Sequence, residues 1–134
     1  MYLLGLDPGL RFTGWGVVSF DRGRLQHVAH GVIAPKVDLP LCDRLSFLYG
    51  SLIEVLTRYT PHEAAVEETF VNKNPGSTLK LGMARGVVLL APAQMGLRVG
   101  EYSANQVKKS LVGAGHASKE QMIAMVGRLL PQAG

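Results

Sequence analysis

Asp7 and Glu67 are the residues whose placement points to chemistry. Asp7 closes the short apolar run Tyr2–Leu6 and opens an Asp7-Pro8-Gly9 turn, and Glu67 closes the run Ala64-Ala65-Val66. A carboxylate at the end of a buried strand projects into the crevice at the carboxyl ends of a sheet, where α/β folds bind ligands. If the two strands are parallel neighbours, the two acids stand roughly 5 Å apart. Like charges at that separation repel, and a cation between them removes the repulsion. Hard oxygen ligands with open positions suit Mg2+ or Mn2+. Such ions activate water and steady both oxygens of a phosphodiester during in-line displacement. Read singly, Asp7 starts a turn by bonding its own backbone, and Glu67-Glu68 is a solvated acidic pair. Glu68 should face away from Glu67's side, because strand side chains alternate.

Other residues suit a polyanion. Phe70 precedes the polar loop Asn72-Lys73-Asn74. An aromatic there can stack on an unpaired base or wedge a base step; its ordinary alternative is a place in the core. Lys108, Lys109 and Lys119 fall at two expected helix starts, where lysines and helix N-termini together hold phosphates; the alternative is helix-surface charge. Residues 1–68 carry six Lys/Arg and eight Asp/Glu, whereas residues 69–134 carry eight Lys/Arg and only Glu101 and Glu120. That asymmetry suggests a polyanion-facing second half; its ordinary alternative is a solvated basic face. The histidines, His27, His30, His62 and His116, lack ligand spacing, so none is read as a metal site.

Several classes drop out. Cys42 is the only cysteine, which excludes a disulfide framework within the chain and a Cys-based zinc site. No apolar run is long enough to span a bilayer. Met1–Leu6 has no basic n-region, so a signal peptide is not expected, and a reducing, cytoplasmic location is the default.

The elements that must position these residues follow from periodicity. Tyr2–Leu6 is a buried strand; Gly14–Phe20 and Leu25–Ile33 are two more, joined by Asp21-Arg22-Gly23. Pro40 opens a helix carrying Leu41, Leu45, Leu48, Leu52, Val55, Leu56 and Tyr59 at helical spacing, and Thr60-Pro61 ends it. Ala64-Ala65-Val66 is a fourth strand, Asn72–Gly76 a loop turning at Asn74-Pro75-Gly76, and Ser77 the cap of a helix reaching about Gln94. Leu97–Tyr102 is a fifth strand, and capping boxes at Ser103/Gln106 and Ser118/Gln121 announce helices near 104–112 and 119–130. The length fits one domain, residues 1–134. The order β-β-β-α-β-α-β-α-α predicts an α/β fold. Three antiparallel strands and then helix-linked strands make a five-stranded mixed sheet flanked by helices, the order of the ribonuclease H-like fold.

These residues together resemble a known family. Gly5-Leu6-Asp7-Pro8-Gly9 with Thr13-Gly14-Trp15-Gly16, then Val66-Glu67-Glu68, Phe70 and Asn72-Lys73-Asn74, resemble RuvC, the bacterial Holliday junction resolvases. Leu79-Lys80-Leu81-Gly82, Ala84-Arg85-Gly86, Gln106-Val107-Lys108 and Lys119 extend the likeness in order over essentially the whole chain. The resemblance implies a homodimer that binds a four-way junction and nicks two strands of like polarity symmetrically. It implies divalent-metal catalysis with Asp7 and Glu67 among the ligands, Phe70 disturbing pairing near the crossover, and Lys108 and Lys119 on the backbone. It also implies a branch-migration motor as partner and a preference for short T-containing sequences. The candidate DNA-contacting set is Phe70, Asn72, Lys73, Asn74, Lys80, Lys108 and Lys119.

One departure bears on the site. The family has two further acidic positions on a C-terminal helix, whereas the last Asp here is Asp43 and the chain ends at Leu130-Pro131-Gln132-Ala133-Gly134. The expectation is a nuclease domain lacking that helix. Two other functions stay open on the residues: a non-catalytic junction-binding module, and the phosphate-binding lobe of an actin- or sugar-kinase-like ATPase.

Overall fold

A computed structural model describes residues 1–9, 11–22, 24–68 and 74–102. Its elements are β1 (Tyr2–Asp7), β2 (Thr13–Asp21), β3 (Arg24–Ile33), α1 (Leu41–Tyr59), β4 (Glu63–Glu67), α2 (Pro75–Gln94) and β5 (Arg98–Tyr102). They agree with the expected order to within a few residues at each boundary. The helices expected near 104–112 and 119–130 lie outside the described residues.

The five strands form one sheet in the order β3-β2-β1-β4-β5. β1–β2 and β2–β3 are antiparallel, and β1–β4 and β4–β5 are parallel. β1 is central and reads as an unbroken apolar run because both its faces are covered; Leu3, Leu4 and Leu6 are fully buried. Alternation along the strand then sorts the core into two layers. On one side Leu4, Leu6, Val17, Ala64 and Val66 meet Leu48, Leu52, Val55 and Leu56 of α1 and Ala84, Val88 and Ala91 of α2. On the other side Leu3, Val18 and Ala65 pack with Phe20 and Tyr102.

The helix ends have local causes. Pro40 stands at the N-cap of α1, and Thr60 closes that helix with left-handed φ of 43° just before Pro61. α2 starts three residues earlier than expected. Asn74, not Ser77, is its cap: Asn74 Oδ1 accepts from the N–H groups of Gly76 and Ser77 at 2.9 and 3.1 Å. Pro75 then occupies the first helical position, where its missing N–H is no loss. Asn74-Pro75-Gly76 is therefore a helix start and not a loop turn.

Candidate metal and nuclease site

Leu6 of β1 is paired with Val66 of β4 in parallel register. The next residues, Asp7 and Glu67, therefore stand side by side at the carboxyl ends of neighbouring strands. Alternation puts both on the Leu3 and Ala65 face, opposite α1 and α2. Gly14 is the β2 partner of Asp7. A Cβ built there would lie 3.8 Å from Asp7 Cβ, so glycine keeps the flank of Asp7 clear of a side chain.

The two carboxyl groups interact directly. Burial holds the Asp7 carboxyl above its ordinary range, and a hydrogen bond with the Glu67 side chain acts in the opposite direction. Both groups are acids, and a divalent cation held between them would relieve the repulsion of their charged forms. The donor set is all oxygen, which fits a hard divalent ion. Among the described residues no group of three or more His, Cys, Asp or Glu side chains could hold a metal, so the described part of the site is the Asp7–Glu67 pair.

Glu67 is anchored from behind. Arg85 of α2 donates from Nη1 to the Glu67 carbonyl oxygen at 2.7 Å, and its Nη2 pairs with the Glu101 carboxylate on β5. The Arg85 side chain is 16% exposed, which makes it a partly desolvated fork spanning the ends of β4 and β5. Its sequence context, Ala84-Arg85-Gly86, carried no chemical signal of its own, because the contact depends on how α2 crosses the sheet. Glu68 follows the last β4 residue and is exposed; its N–H donates to Tyr102 O at 2.7 Å.

Asn74 and Lys80 are described, at the cap and in the second turn of α2. Phe70, Asn72, Lys73, Lys108 and Lys119 lie outside the described residues. Spacing alone also hid a contact: His27 Nε2 and His30 Nδ1 are 2.8 Å apart. The β2–β3 register slips between Val17 and Val18, which leaves Val28 bulged. The extra residue puts two side chains three apart on one face of β3.

The sheet order, with two carboxylates side by side at the ends of β1 and β4, is that of a ribonuclease H-like fold. Comparison with known proteins gives the family. Residues 3–133 match the family described as crossover junction endodeoxyribonuclease RuvC. A protein of that description from Xanthobacter autotrophicus is 62% identical over 131 residues, 98% of this chain and 78% of the relative. Another from Gluconacetobacter diazotrophicus is 60% identical over the same shares. A solved structure of T. thermophilus RuvC in complex with Holliday junction substrate superposes with a TM-score of 0.78 at 34% identity, covering 98% of this chain and 80% of that one. The chain belongs to the RuvC family of crossover junction endodeoxyribonucleases. That membership sets aside both the ATPase-lobe and the non-catalytic alternatives.

Proposed function

We propose that this protein resolves Holliday junctions by metal-dependent hydrolysis of phosphodiester bonds, nicking two strands of like polarity during recombination and repair. The observation that carries the reading is the Asp7–Glu67 pair at the carboxyl ends of adjacent parallel strands. Mg2+ is the cofactor of choice and Mn2+ its alternative; bound there, either supplies Lewis-acid stabilisation and an activated water. The chain's own residues set the geometry. Asp7 and Glu67 supply the oxygen ligands. Arg85 holds the Glu67 backbone. Phe70 opens the crossover, and Asn72, Lys73, Asn74, Lys80, Lys108 and Lys119 hold the DNA.

A two-fold junction suits a two-fold protein, and α2 supports a homodimer. Ala84, Val88 and Ala91 are buried on one side of α2, whereas Leu79, Met83 and Leu90 are 62, 38 and 49% exposed. At 100° per residue these three share a face with Gly82 and Gly86. A Cβ at either glycine would meet nothing within 4 Å, so that face is open in the single chain and permits close approach of a second copy. The branch-migration partner and cytoplasmic location follow from the family resemblance. Among the described residues no helix is long and apolar enough to cross a membrane. The testing experiment is cleavage of a synthetic four-way junction with and without Mg2+: paired nicks that require the ion support the reading, and binding without metal-dependent nicking overturns it.

A further inference from the structure

A second site, basic where the first is acidic, lies at the same end of the sheet as the carboxylates, on the opposite face. A recess between the start of α1 and the first turns of α2 is lined by Gly9, Arg11, Thr13, Arg44 and Lys80 over an apolar floor that includes Leu48 and Ala84. Leu48 and Ala84 belong to the core layer under α1 and α2, so the recess lies on that side, while Asp7 and Glu67 face the other. Three cations converge here from three separate segments: the β1–β2 connection, α1 and α2. Among the described residues no Asp or Glu lines the recess.

Exposed lysines and arginines are usually solvated helix-face charge, and Arg11 and Lys80 are exposed. Arg44 is different. It is half-buried, and its Nε is sealed from solvent with no hydrogen-bond partner among the described residues. A buried donor without an acceptor is rare in a folded protein. Its neighbours are two more cations, which repel it unless an anion lies between them. The planar guanidinium fork matches phosphate oxygens in pairs, and the apolar floor lowers the local dielectric and strengthens that attraction.

We infer that Arg11, Arg44 and Lys80 form a clamp for a DNA backbone phosphate other than the scissile one. The inference rests on the reading of the protein as a junction nuclease. It adds Arg11 and Arg44 to the DNA-contacting set and gives Lys80 partners. Gly9 is two residues from Asp7, so a phosphate held here sets the register of the strand relative to the metal site.

The test is the salt dependence of binding to a synthetic four-way junction, measured for the wild-type protein, Arg11→Gln, Arg44→Gln and Arg22→Gln. Arg22 is an exposed cation in the β2–β3 turn, away from the recess. Loss of one phosphate contact lowers the slope of log K against log salt by about 0.9. Arg11→Gln and Arg44→Gln should each lower the slope by up to that amount, and Arg22→Gln should leave it unchanged. Arg11 is exposed, so its variant keeps the test decisive if Arg44→Gln fails to fold. Wild-type binding with unaltered slopes in both recess variants overturns the clamp and leaves the nuclease reading standing. An equal loss in Arg22→Gln also overturns it, since the effect would be general surface charge. A wild-type protein that does not bind the junction overturns both.

Discussion

Arg85→Ala separates a residue that positions the site from one that only braces the fold. In the wild type its Nη1 donates to the Glu67 carbonyl at 2.7 Å and its Nη2 pairs with Glu101. Removing the side chain leaves a part-buried carbonyl without that donor, a loss of about 1–3 kcal/mol. The ion pair adds little, because Glu101 is 49% exposed and solvent screens it; exposed pairs contribute about 0–1 kcal/mol. The total is about 2 kcal/mol, which for a domain of this size lowers Tm by roughly 8 °C. The catalytic effect should exceed what such a fall implies for a still-folded enzyme. Glu67 would keep its charge but lose the anchor on its backbone, and small misplacements of a reacting group cost about 10²-fold. Single-turnover cleavage of a four-way junction at saturating protein, below the variant's Tm, should therefore slow by roughly 10–10², with junction affinity nearly unchanged. Arg85→Lys should recover only part of the rate, since an ammonium cannot fork to both partners. Glu101→Gln should be mild. Wild-type cleavage by Arg85→Ala would refute the positioning role, and a Glu101→Gln defect as large as that of Arg85→Ala would shift the cause to the ion pair.

Burial raises the Asp7 carboxyl in the folded protein, so without metal the folded state binds more protons than the unfolded one, and stability falls as pH rises from the ordinary Asp range through the raised value. Asp7→Asn should flatten that fall and raise the metal-free Tm at neutral pH, while added Mg2+ should raise the Tm of the wild type and not of the variant; thermal melts across pH check both, and a lower neutral-pH Tm for Asp7→Asn would count against the sign. Leu90→Asp, placed on the exposed face of α2, should leave the fold intact and shift sedimentation from dimer to monomer at micromolar protein; wild-type monomer under the same conditions would sink the dimer.

The legible parts of this molecule were those encoded by near neighbours in sequence. Tyr2–Leu6 and Ala64–Val66 are short apolar runs with an acid at the end, so the end of each run alone places Asp7 and Glu67 at strand termini. Their adjacency needed one further assumption, that the strands pair in parallel, and the register Leu6 to Val66 bears it out. The α1 boundaries were legible because Pro40 and Thr60-Pro61 are backbone signals. The cap of α2 was misread because Asn74 and Ser77 both suit that role and Pro75 fits a turn as well as a first helical position. Arg85 and the Arg44 recess were invisible, since each depends on where two helices cross the sheet. The His27–His30 contact was hidden for a related reason: the bulge at Val28 breaks the two-residue period on which face assignment rests.

We propose Asp7 and Glu67 as ligands of the divalent ion used in cutting. Single-turnover cleavage of a synthetic four-way junction in Mg2+ by the wild type, Glu67→Gln and Glu68→Gln, each at matched DNA occupancy, tests this. The amide keeps the volume of Glu67 and removes the charge that holds the ion, so Glu67→Gln should bind the junction as the wild type does and lose cleavage by about 10² or more, while Glu68→Gln, one residue on and exposed, should cut nearly normally. Cleavage by Glu67→Gln at the wild-type rate, or loss confined to Glu68→Gln, would contradict the account.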